Sequence, residues 1–154
     1  MNMKDERQFV GYSKYRSRLV DGHVHTELCP HGSGDRTAMM IEKAIELRIE
    51  KVCLTEHAPL PKAFAVEYGG DQKAYDTASL KLNQVDSYLE LGRQLQRAYG
   101  THIDISLGFE VDYIPGFETD IQEFLDRYGP LTDDNILSVH FMEGLNNAYY
   151  CLDY

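Results

Sequence analysis

The sequence predicts an α/β fold of parallel βα repeats, and two observations lead there. Short apolar runs alternate with longer stretches of helical periodicity in the order βαβαβαβ, the pattern of a parallel sheet with covering helices. Of the six histidines, His23, His25, His57 and His140 fall at or just past the ends of the apolar runs, and His31 lies in the loop after the first. That is the edge at which parallel α/β folds bind ligands.

Each element has a local reason. Residues 1–18 mix Lys, Arg and Tyr without periodicity and are expected to form an extension. Residues 19–25 alternate as a short strand, which the breaker cluster CPHGSGD ends. Asp35 or Thr37 is placed to cap the next helix, whose apolar stripe is Met40, Ile41, Ala44 and Ile45. KVCLT, residues 51–55, reads as a buried strand, followed by a long loop over residues 58–76 containing Pro and Gly. A second helix is expected over residues 79–98, with Leu82, Val85, Leu89, Leu95 and Ala98 inward. A third strand covers 103–111, a third helix 117–128 stopped by Gly129-Pro130, and a fourth strand 135–141. Four strands cannot close a (β/α) barrel, which takes about 250 residues. The expected unit is therefore residues 19–154 as about half of such a barrel, with an exposed sheet edge able to self-associate.

Composition narrows the function. The formal charge of −10, from 25 acids against 15 bases, argues against a nucleic-acid surface, which needs clustered cations. It leaves room for a small phosphorylated substrate, because bound metal ions can supply positive charge. No stretch approaches the ~18 apolar residues of a membrane span, and the N-terminus has no apolar signal core. Cys29, Cys53 and Cys151 are widely spaced without a CxxC pair, which argues against a disulfide framework and for a reduced, cytoplasmic setting.

The chemistry sits in four motifs. In DGHVHT, strand alternation puts Asp21, His23 and His25 on one face. Two imidazoles at that spacing can take one metal ion, and Asp21 can orient one of them by a hydrogen bond. His31 can return over them on the Gly-rich loop. In LTEHAP, His57 is the ligand candidate and Glu56 its hydrogen-bonding neighbour, facing away from it. In GFEVDYIPG, Glu110 can bridge two cations, while Asp112, nearer solvent, can cap the loop. In ILSVHFM, His140 is the one ionisable group of an apolar run. This nitrogen- and oxygen-rich set, with no thiolate, suits Zn, Mn or Fe rather than Ca or Cu(I). Such ions lower the pKa of bound water and clamp the oxygens of a displacement, so phosphate-ester hydrolysis is the natural reaction. The rivals are weaker. No GxSxG, Walker A or GxGxxG sequence occurs, and a Cys29 thiol nucleophile competes poorly with a multi-histidine metal site. His102 sits at a strand start, on the opposite side, and should take no part.

DGHVHTELCPHGSGD, LTEHAPLP, LGFEVDYIPG and SVHF, in that order, resemble the successive motifs of the polymerase and histidinol phosphatase (PHP) superfamily, in its histidinol phosphatase branch. The resemblance covers about residues 19–145. It implies a distorted (β/α)7 barrel with two to three divalent ions, Zn, Mn or Fe. His23, His25 and Glu110 would hold the first ion. Glu110 would bridge to the second, which also takes His140, and His31 and His57 would hold the third. The implied reaction is hydrolysis of histidinol phosphate, in histidine biosynthesis, with a metal-bound hydroxide as nucleophile. A nucleotide or phosphosugar substrate, or a half-barrel that binds metal without turnover, are the alternatives. The family's later ligand motifs, G-H-x-D and D-x-H, do not follow His140, and no phosphate-binding arginine is assigned.

Overall fold

The computed structural model describes residues 18–64, 68, 72–145 and 148–152. The expected extension over 1–18 lies, apart from Arg18, outside the described residues. Strands β1 (Val20–Val24), β2 (Lys51–His57), β3 (Asp104–Asp112) and β4 (Ile136–Ser138) form one sheet in the order β1-β2-β3-β4, with every pair parallel. Helices α1 (Thr37–Glu46), α2 (Gln72–Thr77), α3 (Val85–Tyr99) and α4 (Glu118–Tyr128) lie between them in sequence. The sheet is curled, as half of a barrel is.

The main core lies between the sheet and its helices. Ile41 and Ala44 of α1, Val85, Tyr88, Leu89 and Leu95 of α3, and Val52, Leu54, Ile105, Leu107 and Phe109 of the central strands form one buried cluster. Burying a side chain such as Leu54 or Leu107 stabilises by about 1.5–3 kcal/mol. Two glycines allow the close approaches this packing needs. A Cβ on Gly92 would sit 2.3 Å from a Leu107 methyl, and one on Gly108 would sit 1.6 Å from the Asp134 carbonyl oxygen.

Several local readings are corrected. The start of α1 is capped from outside: its N-cap residue Arg36 offers no side-chain bond, and the Glu27 carboxylate accepts from the Thr37 N–H at 2.7 Å and from its hydroxyl. The expected loop over 58–76 contains α2. The helix expected from residue 79 starts later, with a 3-10 turn at Leu82–Gln84 ahead of α3. Ala78, Ser79 and Leu80 are instead drawn into the interior, where the Leu80 N–H bonds to the His57 carbonyl at 3.3 Å. The fourth strand is short because the Asp112 carboxylate takes the His140 N–H at 3.0 Å, pulling that backbone out of the ladder. Beyond it the chain folds as an antiparallel hairpin, β5 (Phe141–Glu143) with β6 (Tyr149–Cys151), which the sequence reading did not foresee. A second aromatic cluster of Phe64, Tyr68, Phe117, Phe141 and Tyr149 seats this hairpin against the loop after β2.

Candidate metal centre

Register builds the centre. The parallel pairing of β2 with β3 sets His57 beside Glu110 at the ends of both strands. On β1, the three steps from Asp21 to Val24 are matched by only two on β2, from Val52 to Leu54. That extra residue is a bulge, a device that re-aims a side chain at a site. His23, within it, and His25, just past it, both face Glu110.

Four histidines converge on the Glu110 carboxylate, whose side chain is 3% exposed. His23 Nε2 lies 2.9 Å and His25 Nε2 3.5 Å from Oε2, His57 Nδ1 lies 3.2 Å from the same oxygen, and His140 Nε2 lies 3.4 Å from Oε1. The facing Nε2 atoms of His23 and His25 are 3.1 Å apart. Ligand atoms around a tetrahedral ion with bonds of ~2.0–2.1 Å stand about 3.3 Å apart, so this spacing fits a divalent cation. His57 Nδ1 supports the same reading, because it is buried and makes no hydrogen bond although a carboxylate oxygen is 3.2 Å away. Three groupings bring ligand atoms within 4.8 Å of one another: His23, His25 and Glu110; His57, Asp112 and His140; and His25, Cys29 and His57. The last competes with the first for His25, whose Nε2 faces Glu110 and whose Nδ1 faces Glu56.

His31 completes the histidine cluster from the side, with its ring 4.9 Å from that of His57 and its Nδ1 2.7 Å from the Thr77 carbonyl. The His25 and His57 rings stack at 4.4 Å. His102, in the turn before β3, stands apart at the other end of the sheet, beside Arg18 and Arg48.

The carboxylates beside the histidines divide sharply. Asp21 is exposed and makes no hydrogen bond or ion pair among the described residues, so it does not orient a histidine; the bulge separates it from them. Glu56 is fully buried, and both its oxygens are doubly satisfied. Oε1 accepts from His25 Nδ1 and from the His57 N–H, both at 3.2 Å, and Oε2 accepts from Thr26 at its N–H (2.9 Å) and hydroxyl (2.6 Å). Burial raises its pKa, but the bonds from His25 and Thr26 outweigh that and hold it below the usual carboxylate range. Asp112, expected nearer solvent, is buried as well, with Oδ1 3.0 Å from His140 Nδ1. Its pKa is raised, chiefly by burial. The Cys29 thiol is buried and pushed up to about 11 by that burial and by the Glu56 charge. It is therefore protonated at neutral pH and unsuited to act as a nucleophile. Thr26 and Tyr88, which hold Glu56, were missed by the sequence reading. Thr26 at least stands inside the DGHVHT motif, whereas nothing in the sequence marks Tyr88.

A pH dependence follows from His57. Burial, then the charges of His25, His31 and His140, lower its pKa to about 3. Between its ordinary 6.5 and that value the unfolded chain binds a proton that the folded chain does not, so stability falls on acidification through this window. From pH 6.5 to 5 this amounts to up to about 2 kcal/mol. Thermal unfolding of metal-free protein should show it as a lower Tm at pH 5 than at pH 7. In His57→Gln the pH-dependent drop should be smaller; an equal drop would place the effect on other groups.

No helix among the described residues is long and apolar enough to cross a membrane. The chain is 41% identical over 134 residues to histidinol-phosphatase of Bacillus subtilis, covering 87% of this chain and 48% of that one. A crystal structure from Listeria monocytogenes that bears the histidinol phosphatase name hisK superposes with a TM-score of 0.85 at 41% identity, over 88% of this chain and 49% of that one. Histidinol phosphate phosphatase of Lactococcus lactis, complexed with Zn, L-histidinol and phosphate, shares the fold at 24% identity and a TM-score of 0.63, over 81% of this chain and 41% of that one. The chain thus spans about half the length of the curated relatives it matches. The family model of the PHP domain matches residues 21–153, the span that carries the curled parallel sheet and its histidine cluster, and the chain belongs to that family.

Proposed function

We propose that this chain forms the N-terminal part of a metal-dependent phosphomonoesterase that hydrolyses L-histidinol phosphate to L-histidinol and phosphate, in the cytoplasm. The observation that carries this reading is the convergence of four histidines on the buried Glu110 carboxylate. The likeness to histidinol-phosphatase of Bacillus subtilis supports this choice of substrate.

His23, His25 and Glu110 would hold one ion, Glu110 and His140 a second, and His31 and His57 a third. Ions held there would activate a water and offset the charge of the phosphoryl oxygens. The chain's own residues do the rest. Glu56 orients His25 through the ring nitrogen that faces away from Glu110, an arrangement that fixes tautomer and raises ligand basicity, while Asp112 holds the His140 backbone by accepting its N–H. The low pKa of His57 keeps it neutral and able to act as a ligand at any physiological pH. Zn is the metal favoured, on the Lactococcus lactis complex.

Elemental analysis after gel filtration should find about one to two ions per 154-residue chain, held by nitrogen and oxygen donors. A protein that stays metal-free after addition of Zn or Mn would overturn the assignment. A substrate panel with a polypeptide of the relatives' full length should favour histidinol phosphate over nucleotides and phosphosugars.

A further inference from the structure

Tyr88 belongs to none of the histidine-bearing motifs, yet it is fully buried and its hydroxyl lies against the strand ends that carry the site. It reaches the carbonyls of Leu54 at 3.0 Å and Gly108 at 2.5 Å, and accepts the Glu56 N–H at 3.3 Å. Those groups surround the Thr55–Gly108 step of the β2–β3 ladder. One step further on, the same two strands release Glu56 and His57 on one side and Glu110 on the other. The ring is wedged against Phe109 at 5.1 Å, so the hydroxyl has little freedom to leave. A buried phenol needs a partner for its hydroxyl. It could have met one at any surface, whereas here it spends its bonds on the backbone beneath the site.

The connection onward is continuous. The Glu56 backbone is held by Tyr88, and its carboxylate clamps Thr26 and His25 of the first loop to β2. His25 then presents Nε2 toward His23 and Glu110. Because the ionised Glu56 can only accept, His25 must carry its proton on Nδ1, which leaves Nε2 with the free lone pair. A small displacement of Glu56 would release that tautomer and swing the ring.

We infer that Tyr88 is a positioning residue of the metal centre: through Glu56 it sets the orientation and tautomer of His25. This rests on the metal-binding reading above for its Zn test, though not for its spectroscopic one. Tyr88→Phe removes a single oxygen and keeps the ring. It should fold, and should bind Zn about 10–100-fold more weakly in competition with a chromophoric chelator, the loss typical of partners that orient a ligand. In metal-free protein the imidazole ¹⁵N shifts of His25 should report a protonated Nδ1 in the wild type and a mixture of tautomers in Tyr88→Phe. Leu89→Ala controls for general loosening, since Leu89 is the buried neighbour of Tyr88 on α3 and lies outside this chain of bonds. It should lower the unfolding temperature while leaving Zn affinity within about threefold, below the loss expected of an orienting partner. Equal losses of affinity in the two variants would overturn the inference, and so would unchanged His25 shifts in Tyr88→Phe. A wild type that takes up no Zn would overturn the metal reading, while the metal-free shifts would still decide the role of Tyr88.

Discussion

Replacing His25 with alanine should weaken Zn binding by more than about 100-fold, whereas His102→Ala should leave it unchanged. His25 is engaged on every side: its Nε2 faces His23 at 3.1 Å and Glu110 at 3.5 Å, its Nδ1 faces Glu56 at 3.2 Å, and its ring stacks on His57. On the proposed metal reading truncation would remove a donor from the ion, and it also takes one of four hydrogen bonds from a fully buried carboxylate. Loss of a direct ligand should exceed the 10–100-fold cost of losing a partner that only orients one. His102 is exposed at the far end of the sheet, in the turn that opens β3, beside Arg18 and Arg48. It shares only its residue type with the cluster. Titration of each variant with Zn against a competing chelator checks the pair. Equal losses from both would mean that the strand polarity assigned to the site is wrong.

The second large effect is expected in turnover. Phosphate release from histidinol phosphate by the 154-residue polypeptide should be near background, and should rise at least about 100-fold in a polypeptide extended to the length of its relatives. The described residues approach Glu110 from β1, β2, β3 and the segment after β4, one side of a barrel, and the matched relatives are about twice as long. The edges of the sheet carry the complementary signal. Leu19 and Val20 at β1 are 55% and 51% exposed, and Leu137 and Val139 at β4 are 69% and 51% exposed. Parallel sheets bury such residues under further structure, and bare apolar edges recruit other chains. Light scattering should accordingly find the 154-residue polypeptide self-associated, with Leu137→Lys reducing the association. A monodisperse monomer with full activity would end the half-site reading.

The ordered repeat and the candidate ligands were legible in the sequence for a local reason. Strand and helix periods, 2.0 and 3.6, are properties of neighbouring residues, so runs such as KVCLT and the stripe through Val85, Leu89 and Leu95 declare themselves without a partner. His57 and Glu110 stood out because ionisable groups at the ends of apolar runs are rarely there to be packed. What the tertiary structure decided is what depends on register and on contacts between distant segments. The β1 bulge left Asp21 without a partner among the described residues while bringing His23 up to Glu110, and no alternation pattern contains that extra residue. Asp112 became buried because the chain after β4 folds back across it, delivering the His140 N–H to its carboxylate. The hairpin of β5 and β6 formed where only a strand end was expected, because Phe141 and Tyr149 found Phe64 and Tyr68 from a loop some eighty residues earlier in the chain. Tyr88 reads in the sequence as one more aromatic on a helix. It holds the backbone of Glu56 because the helix packs against β2 and β3 at the step where Gly108 stands. Local patterning thus determined which residues could do the chemistry, and long-range packing decided which of them meet, since neither a ladder register nor a buried contact can be computed from one segment alone.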